Sequence, residues 1–160
     1  MEFQVNINYE FTANSEAEAK EKAQQYVSTN LQVKALKDSV YSPASIASRC
    51  NSFRTAKKEH FYAFLLDTQN RILGSEIVSI GTLNASLIHP RECFRTAIVK
   101  TAASVIFVHN HPSGGLEPSP EDIAATKRLV DAGKLLGIEV LDHVIVTADS
   151  YTSFKEQRLI

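Results

Sequence analysis

The chain has 160 residues, of which 44% are hydrophobic and 22% charged. That length carries one domain with a real apolar core and at most a small appendage, and the composition is too apolar for disorder over most of the chain. A formal net charge of -1 argues against a surface built mainly to hold a phosphate backbone, since that affinity comes from clustered lysine and arginine; the one basic cluster, Arg49, Arg54, Lys57 and Lys58, reads as a solvated helix face.

Residues 2–11, EFQVNINYEF, alternate apolar and polar, which predicts a half-buried strand. Ser15 and Glu18 stand in capping-box spacing before an apolar stripe of Ala19, Ala23, Tyr26 and Val27, which predicts a short amphipathic helix. LQVKAL alternates again, so residues 1–37 read as a β-α-β appendage that packs on the main body or on a second copy. The alternating strand is a pairing edge for a homodimer.

The main domain spans residues 41–160. Ser42 and Pro43 predict a helix start, with the helix running to about residue 55. EHFYAFLLD and RILGSEIVSIG are strand-like runs joined by the turn TQN. Pro90 opens a helix whose apolar face is Cys93, Phe94, Ala97, Ile98 and Ala102. SVIFVHN is apolar on both faces and predicts a central strand. The next helix has Ser119 as N-cap, Pro120 at its first position and Gly137 at its end, and IEVLDHVIVT is a further buried strand. Alternating strands and helices predict a mixed central β-sheet flanked by helices, of α/β or α+β class.

Cys50 and Cys93 lie far apart and outside any C-x-x-C spacing, so neither a disulfide framework nor a thiolate zinc site is expected. No targeting segment or bilayer-length apolar run is read, and the expected location is cytoplasmic, with no membrane partner.

The chemistry concentrates in HNHPSGGLEPSPED, residues 109–122. On an extended segment, positions i and i+2 share a face, so His109 and His111 can aim two imidazoles at one point. The Pro-Gly loop turns the chain back, and Asp122, in the first turn of the following helix, can supply a third ligand while one coordination position stays open. A plainer reading covers the same residues: histidines bonded to the backbone, with Ser119 and Asp122 forming a capping box.

The spacing H-x-H, seven residues, S-x-x-D resembles the JAMM signature of JAB/MPN-domain metalloproteases, and His109, His111, Ser119 and Asp122 match it throughout. The longer string, with FLLDTQNRIL, HPRECFRTA, GIEVLDHVIV and SFKE, is similar to the RadC-like branch of that superfamily. The resemblance implies a cytidine-deaminase-like JAB/MPN architecture over residues 41–160, Zn2+ held by His109, His111 and Asp122, and amide hydrolysis of a peptide or protein substrate. It further implies Glu59 as the residue that takes a proton from the attacking water, with Glu76 and then Glu117 as lesser candidates, and Ser119 as an oxyanion partner.

Asp142 and His143 match a further segment typical of that branch. They read either as support for a ligand imidazole or, preferably, as a satisfied buried pair. His60 and His89 are structural, and Cys93 packs as a small hydrophobe. An alternative role is an accessory module in DNA processing, with DNA-repair proteins as partners and a structural or vestigial metal; RadC-like proteins commonly carry a helix-hairpin-helix-type segment before this domain, where residues 1–37 read as β-α-β. A zinc deaminase ranks last, because H-x-E and P-C-x-x-C are missing.

Overall fold

The computed structural model describes Glu18 and residues 39–40, 42–81 and 88–160. The expected β-α-β of residues 1–37 therefore lies, but for Glu18, outside the described residues, as does its proposed pairing edge.

Two apolar runs form the expected hairpin, β1 (His60–Leu66) against β2 (Ile72–Ile80). Its turn is fixed by the Asp67 carboxylate, which accepts from the amides of Gln69 and Arg71, while Asn70 takes the left-handed conformation at φ 57°. β3 (Ser104–Asn110) is buried along its whole length. It lies antiparallel to β1 and parallel to β4 (Glu139–Val146), and β5 (Tyr151–Ser153) closes the order β2-β1-β3-β4-β5. A strand apolar on both faces thus occupies the centre, as its composition demands.

Among the described residues of 39–160, three α-helices accompany the sheet: α1 (Pro43–Ala47), α2 (Pro90–Val99) and α3 (Pro120–Leu136). Phe61, Val105 and Phe107 pack on Cys93, Phe94 and Ala97 of α2 and on Ala125 and Leu129 of α3. On the opposite face Phe64, Ile106, Val108 and Val144 pack on Ile46 and Ala47 of α1 and on Cys50 and Phe53. The result is an α+β unit, Ser39–Ile160, with a mixed sheet covered on both faces.

Two expectations are corrected. The helix expected to reach residue 55 stops at Ala47 and continues as a 3-10 turn, Ser48–Cys50, and then irregular turns. Ser48, Asn51, Ser52 and Thr55 have low helix propensity because their side chains compete for backbone groups; the Ser48 hydroxyl donates to the Ser45 carbonyl. Arg54 consequently sits on no helix face, and its guanidinium donates to the carbonyls of Thr147 and Ser150, pinning the β4–β5 turn. On α2, Ile98 is 53% exposed and does not join the apolar face.

Cys50 and Cys93 are buried free thiols, each pushed up to about 12 by burial, which suits packing and not reactivity. Among the described residues no helix is long and apolar enough to cross a membrane.

Where α3 meets the sheet, Gly133 has no room for a side chain. A Cβ there meets the Ile138 carbonyl oxygen at 2.5 Å and Phe94 and Val140 carbons at 3.2 Å. That carbonyl belongs to the chain leaving the helix through Gly137, whose φ of 69° makes the C-terminal cap. Gly133→Ala is expected to lower unfolding free energy by about 1–3 kcal/mol in a denaturant titration, although alanine is intrinsically the better helix former by about 1 kcal/mol.

Candidate metal centre

The end of β3 delivers the two histidines. His109 is fully buried on the face covered by α2 and α3, and the His111 amide extends the ladder by donating to the Val146 carbonyl at 3.0 Å. Their Nε2 atoms face each other at 2.9 Å. Asp122 sits at the third position of α3, with Oδ1 3.5 Å from the His109 Nε2 and Oδ2 3.5 Å from the His111 Nε2. The three ligand atoms lie within 4.8 Å of one another.

The hydrogen-bond network fixes which nitrogens carry protons. The Thr126 hydroxyl donates to the Asp122 carbonyl at 2.6 Å, so towards the His143 Nδ1, also at 2.6 Å, it can only accept. His143 in its neutral form is then protonated at Nδ1 and bare at Nε2, where it accepts from the His109 Nδ1 at 2.7 Å. His109 is left with its lone pair on Nε2. His111 donates from Nδ1 to the Gly115 carbonyl at 2.8 Å, which likewise leaves the lone pair on Nε2.

Two lone pairs facing each other at 2.9 Å repel, and the arrangement calls for a cation between them. A proton or a metal ion meets that demand. Bonds of about 2.0–2.1 Å to zinc give tetrahedral edges of about 3.3 Å; the two imidazole nitrogens stand 2.9 Å apart, and each lies 3.5 Å from a different oxygen of Asp122, so small side-chain adjustments bring one oxygen to both. The donor set fits a zinc ion, or another divalent ion that accepts imidazole and carboxylate.

Electrostatics agree with the geometry. Burial, joined by the neighbouring His143, holds the His109 imidazole well below its ordinary value, so it stays neutral and available as a ligand. Burial pushes His143 down to about 3. Burial works to raise Asp122, yet its hydrogen bond with His111, the adjoining His109 ring and the Ser119 hydroxyl and amide outweigh it and hold the carboxyl well below the usual range. His111 is raised, chiefly by its bond to Asp122 and also by the Glu59 charge.

These shifts set a pH dependence for the metal-free protein. His109 and His143 titrate lower when folded than when unfolded, so the unfolded chain takes up more protons as pH falls below about 6.5. Asp122 has the same sign at more acid pH; His111 opposes it, being raised. With two buried imidazoles against one half-buried ring, chelated protein is expected to lose stability steadily from about pH 6.5 towards pH 3. Denaturation midpoints measured at intervals across that range check this, and a flat profile rejects it.

Ser119 and Asp122 form the capping box that a plain reading of the sequence gives. The Asp122 amide donates to the Ser119 Oγ at 3.1 Å, while the Ser119 amide and hydroxyl donate to Asp122 Oδ2 at 2.8 and 2.7 Å. The cap and the convergence with the histidines coexist, because the same bonds that close the helix hold the carboxylate towards the imidazoles.

Glu59 immediately precedes β1. Phe61 is in register with His109, so continuing the antiparallel pairing by two residues sets Glu59 opposite His111. Glu59 lines a cleft of about 430 Å³ together with Lys57, Lys58, Gly81, Pro112 and Ser113. Glu76 instead pairs with Arg95 of α2 at 3.1 Å, and Glu117 is exposed in the loop; neither belongs to the ligand cluster.

Asp142 and His143 are buried and satisfied, as preferred, and His143 in addition takes the supporting role. Asp142 binds the amides of His143 and Lys155 and the Ser153 hydroxyl, whereas the His143 ring backs His109. Along β4 neighbouring side chains point to opposite faces, so the two rarely meet side by side. Thr126 escaped notice altogether. Its signal was a polar residue four positions after Asp122, on the same face of α3.

Replacing Thr126 with valine keeps the shape and removes the hydroxyl that sets the His143 tautomer. Zinc affinity is expected to fall about 10- to 100-fold in a chelator competition, with the fold retained.

A mixed sheet brings an imidazole pair at a strand end against a carboxylate in the first turn of the next helix, a JAMM-like His-His-Asp cluster able to hold a metal ion. The sequence comparison agrees: residues 40–159 match the family described as RadC-like JAB domain, and the chain belongs to that family. It is 55% identical over 107 residues to a UPF0758 protein of Desulforamulus reducens, covering 67% of this chain and 47% of that one. A UPF0758 protein of Methanococcoides burtonii gives the same identity and coverage, and one of Finegoldia magna is 51% identical over 119 residues, 74% of this chain and 53% of its own. The chain thus spans about half the length of these curated relatives.

Proposed function

We propose that this chain is a zinc-dependent hydrolase of metallopeptidase or isopeptidase type, which cleaves an amide bond in a peptide or protein substrate. One observation carries the reading: two imidazole lone pairs and a carboxylate converge beside the cleft that Glu59 lines. His109, His111 and Asp122 would hold the ion. When bound, zinc supplies Lewis acidity that polarises a carbonyl and makes water a better nucleophile near neutral pH.

The chain's own groups do the rest. The cleft receives the substrate between the 57–59 segment and Pro112–Ser113. Glu59 accepts a proton from water as its oxygen bonds to the carbonyl carbon, then delivers that proton to the amide nitrogen as the C–N bond breaks. Thr126 and His143 keep the His109 lone pair directed into the site. Ser119 holds Asp122, and donation from its hydroxyl to a developing oxyanion requires it to rotate away from Asp122 Oδ2.

The test combines elemental analysis with a screen of peptide and isopeptide-linked libraries. Zinc-loaded protein is expected to contain one ion per chain and to cleave, chelation to stop cleavage, and added zinc to restore it. Cleavage by the metal-free protein at the loaded rate, or none by the loaded protein on either library, rejects the proposal.

A further inference from the structure

Between the two ligand histidines stands Asn110, a fully buried polar residue that ends β3. Neighbouring residues on a strand point to opposite faces. As His109 and His111 turn towards α3, the Asn110 side chain therefore turns to the other side of the sheet, where the chain entering β1 passes.

It is fully engaged there. Asn110 Oδ1 accepts from the His60 amide at 2.8 Å, and Nδ2 donates to the carbonyls of Ala56 and Lys58, each at 3.2 Å. These three backbone groups flank Glu59 on both sides. The Glu59 carbonyl itself accepts from the Gly81 amide at 2.9 Å. A buried amide with three backbone partners is costly to place unless each bond is made.

We infer that Asn110 is a positioning residue that sets Glu59 relative to the metal ligands: one strand end presents His109 and His111 on one face and, with the residue between them, grips the Glu59 segment on the other. This rests on the reading of Glu59 as the proton acceptor. A single rigid element then fixes both halves of the site. Relative placement matters because a displacement of about 1 Å at a reacting group can cost about 100-fold in rate. The clamp also holds Lys57 and Lys58, so the same three bonds shape one wall of the cleft.

Asn110→Ala removes all three bonds. Asn110→Asp keeps the acceptor for His60 and replaces the donating amide, and serves if the alanine variant fails to fold. Hydrogen exchange on the metal-free protein reads the restraint directly: the His60 and Gly81 amides are expected to exchange at least about tenfold faster in Asn110→Ala, with Ala63 and Phe107 unchanged. Unchanged exchange at His60 and Gly81 overturns the clamp, whatever the substrate. On the best-cleaved library peptide, kcat of zinc-loaded Asn110→Ala is expected to fall about 10- to 100-fold, less in Asn110→Asp, with KM and zinc stoichiometry unaltered. A merely structural role lowers the denaturation midpoint and leaves kcat per zinc-loaded molecule at the wild-type value, which would also overturn the inference. Glu59→Gln separates the two ideas. If that variant retains hydrolysis, the catalytic reading of Glu59 falls; if it loses hydrolysis while both Asn110 variants keep wild-type kcat, only the clamp falls.

Discussion

Purified His109→Ala and Asp122→Ala proteins are expected to contain almost no zinc under conditions where the wild type is fully loaded. Each removes one of three ligands, and the loss exceeds the 10- to 100-fold that an outer partner such as Thr126 contributes. The two variants should differ in stability. Asp122→Ala also breaks the capping box, which costs about 1 kcal/mol on its own, and removes the carboxylate that bonds His111. His109→Ala empties a fully buried site and strands the His143 Nε2 without its donor. Asp122→Asn keeps much of the cap and loses the charge, so it should approach wild-type stability without approaching wild-type metal content. Elemental analysis beside denaturant titration separates the effects, and normal zinc in both alanine variants would falsify the centre.

Much of the site was legible because its geometry is local. An H-x-H on a strand and a carboxylate in the first turn of the next helix are joined by a short loop, so spacing alone constrains them. The plain capping-box reading of Ser119 and Asp122 is observed, and it is compatible with the ligand reading, because the same bonds hold the carboxylate near the imidazoles. Supporting residues were harder to read, since they reach the site through tertiary contacts. His143 lies 34 positions from His109 and meets it through the parallel pairing of β3 and β4. Asn110 was hidden in plain view, its partners 50 to 54 positions away in the chain leading into β1 and at the first residue of β1. The fold shows the same division. Elements with a clear period or strong punctuation, such as β3 and α3, formed where expected, whereas the helix after Pro43 was overextended because capping marks a start better than it marks an end.

The sequence also placed Ile98 on an apolar face that the structure leaves in solvent. Helical spacing ranks faces only by composition, and the direction of packing is set by what lies opposite. Here α2 meets the sheet through Cys93, Phe94 and Ala97, and Ile98 lies about 100° around the helix from Ala97. Burial of His109 and His143 has a different origin. These rings enter the core because each bonds a neighbour that satisfies it, with Phe61 and Phe154 packed against the His143 ring at 5.4 and 4.5 Å between centroids.

Glu59→Gln is expected to retain zinc and fold while kcat falls about 100- to 10,000-fold, the range for loss of a positioned general base. The carboxamide matches the carboxylate in size but cannot take a proton from water near neutral pH. It also removes a negative charge acting on His111, so the free His111 ring should titrate lower in the metal-free variant. Metal content is insulated from this change, because Glu59 is not one of the three converging ligands. KM should change little if Glu59 acts on the proton and not on substrate binding. Measuring kcat, KM and zinc stoichiometry on one preparation decides the matter: wild-type kcat in a fully loaded Glu59→Gln protein removes Glu59 from the chemistry, and loss of zinc along with activity makes it a ligand instead of a base.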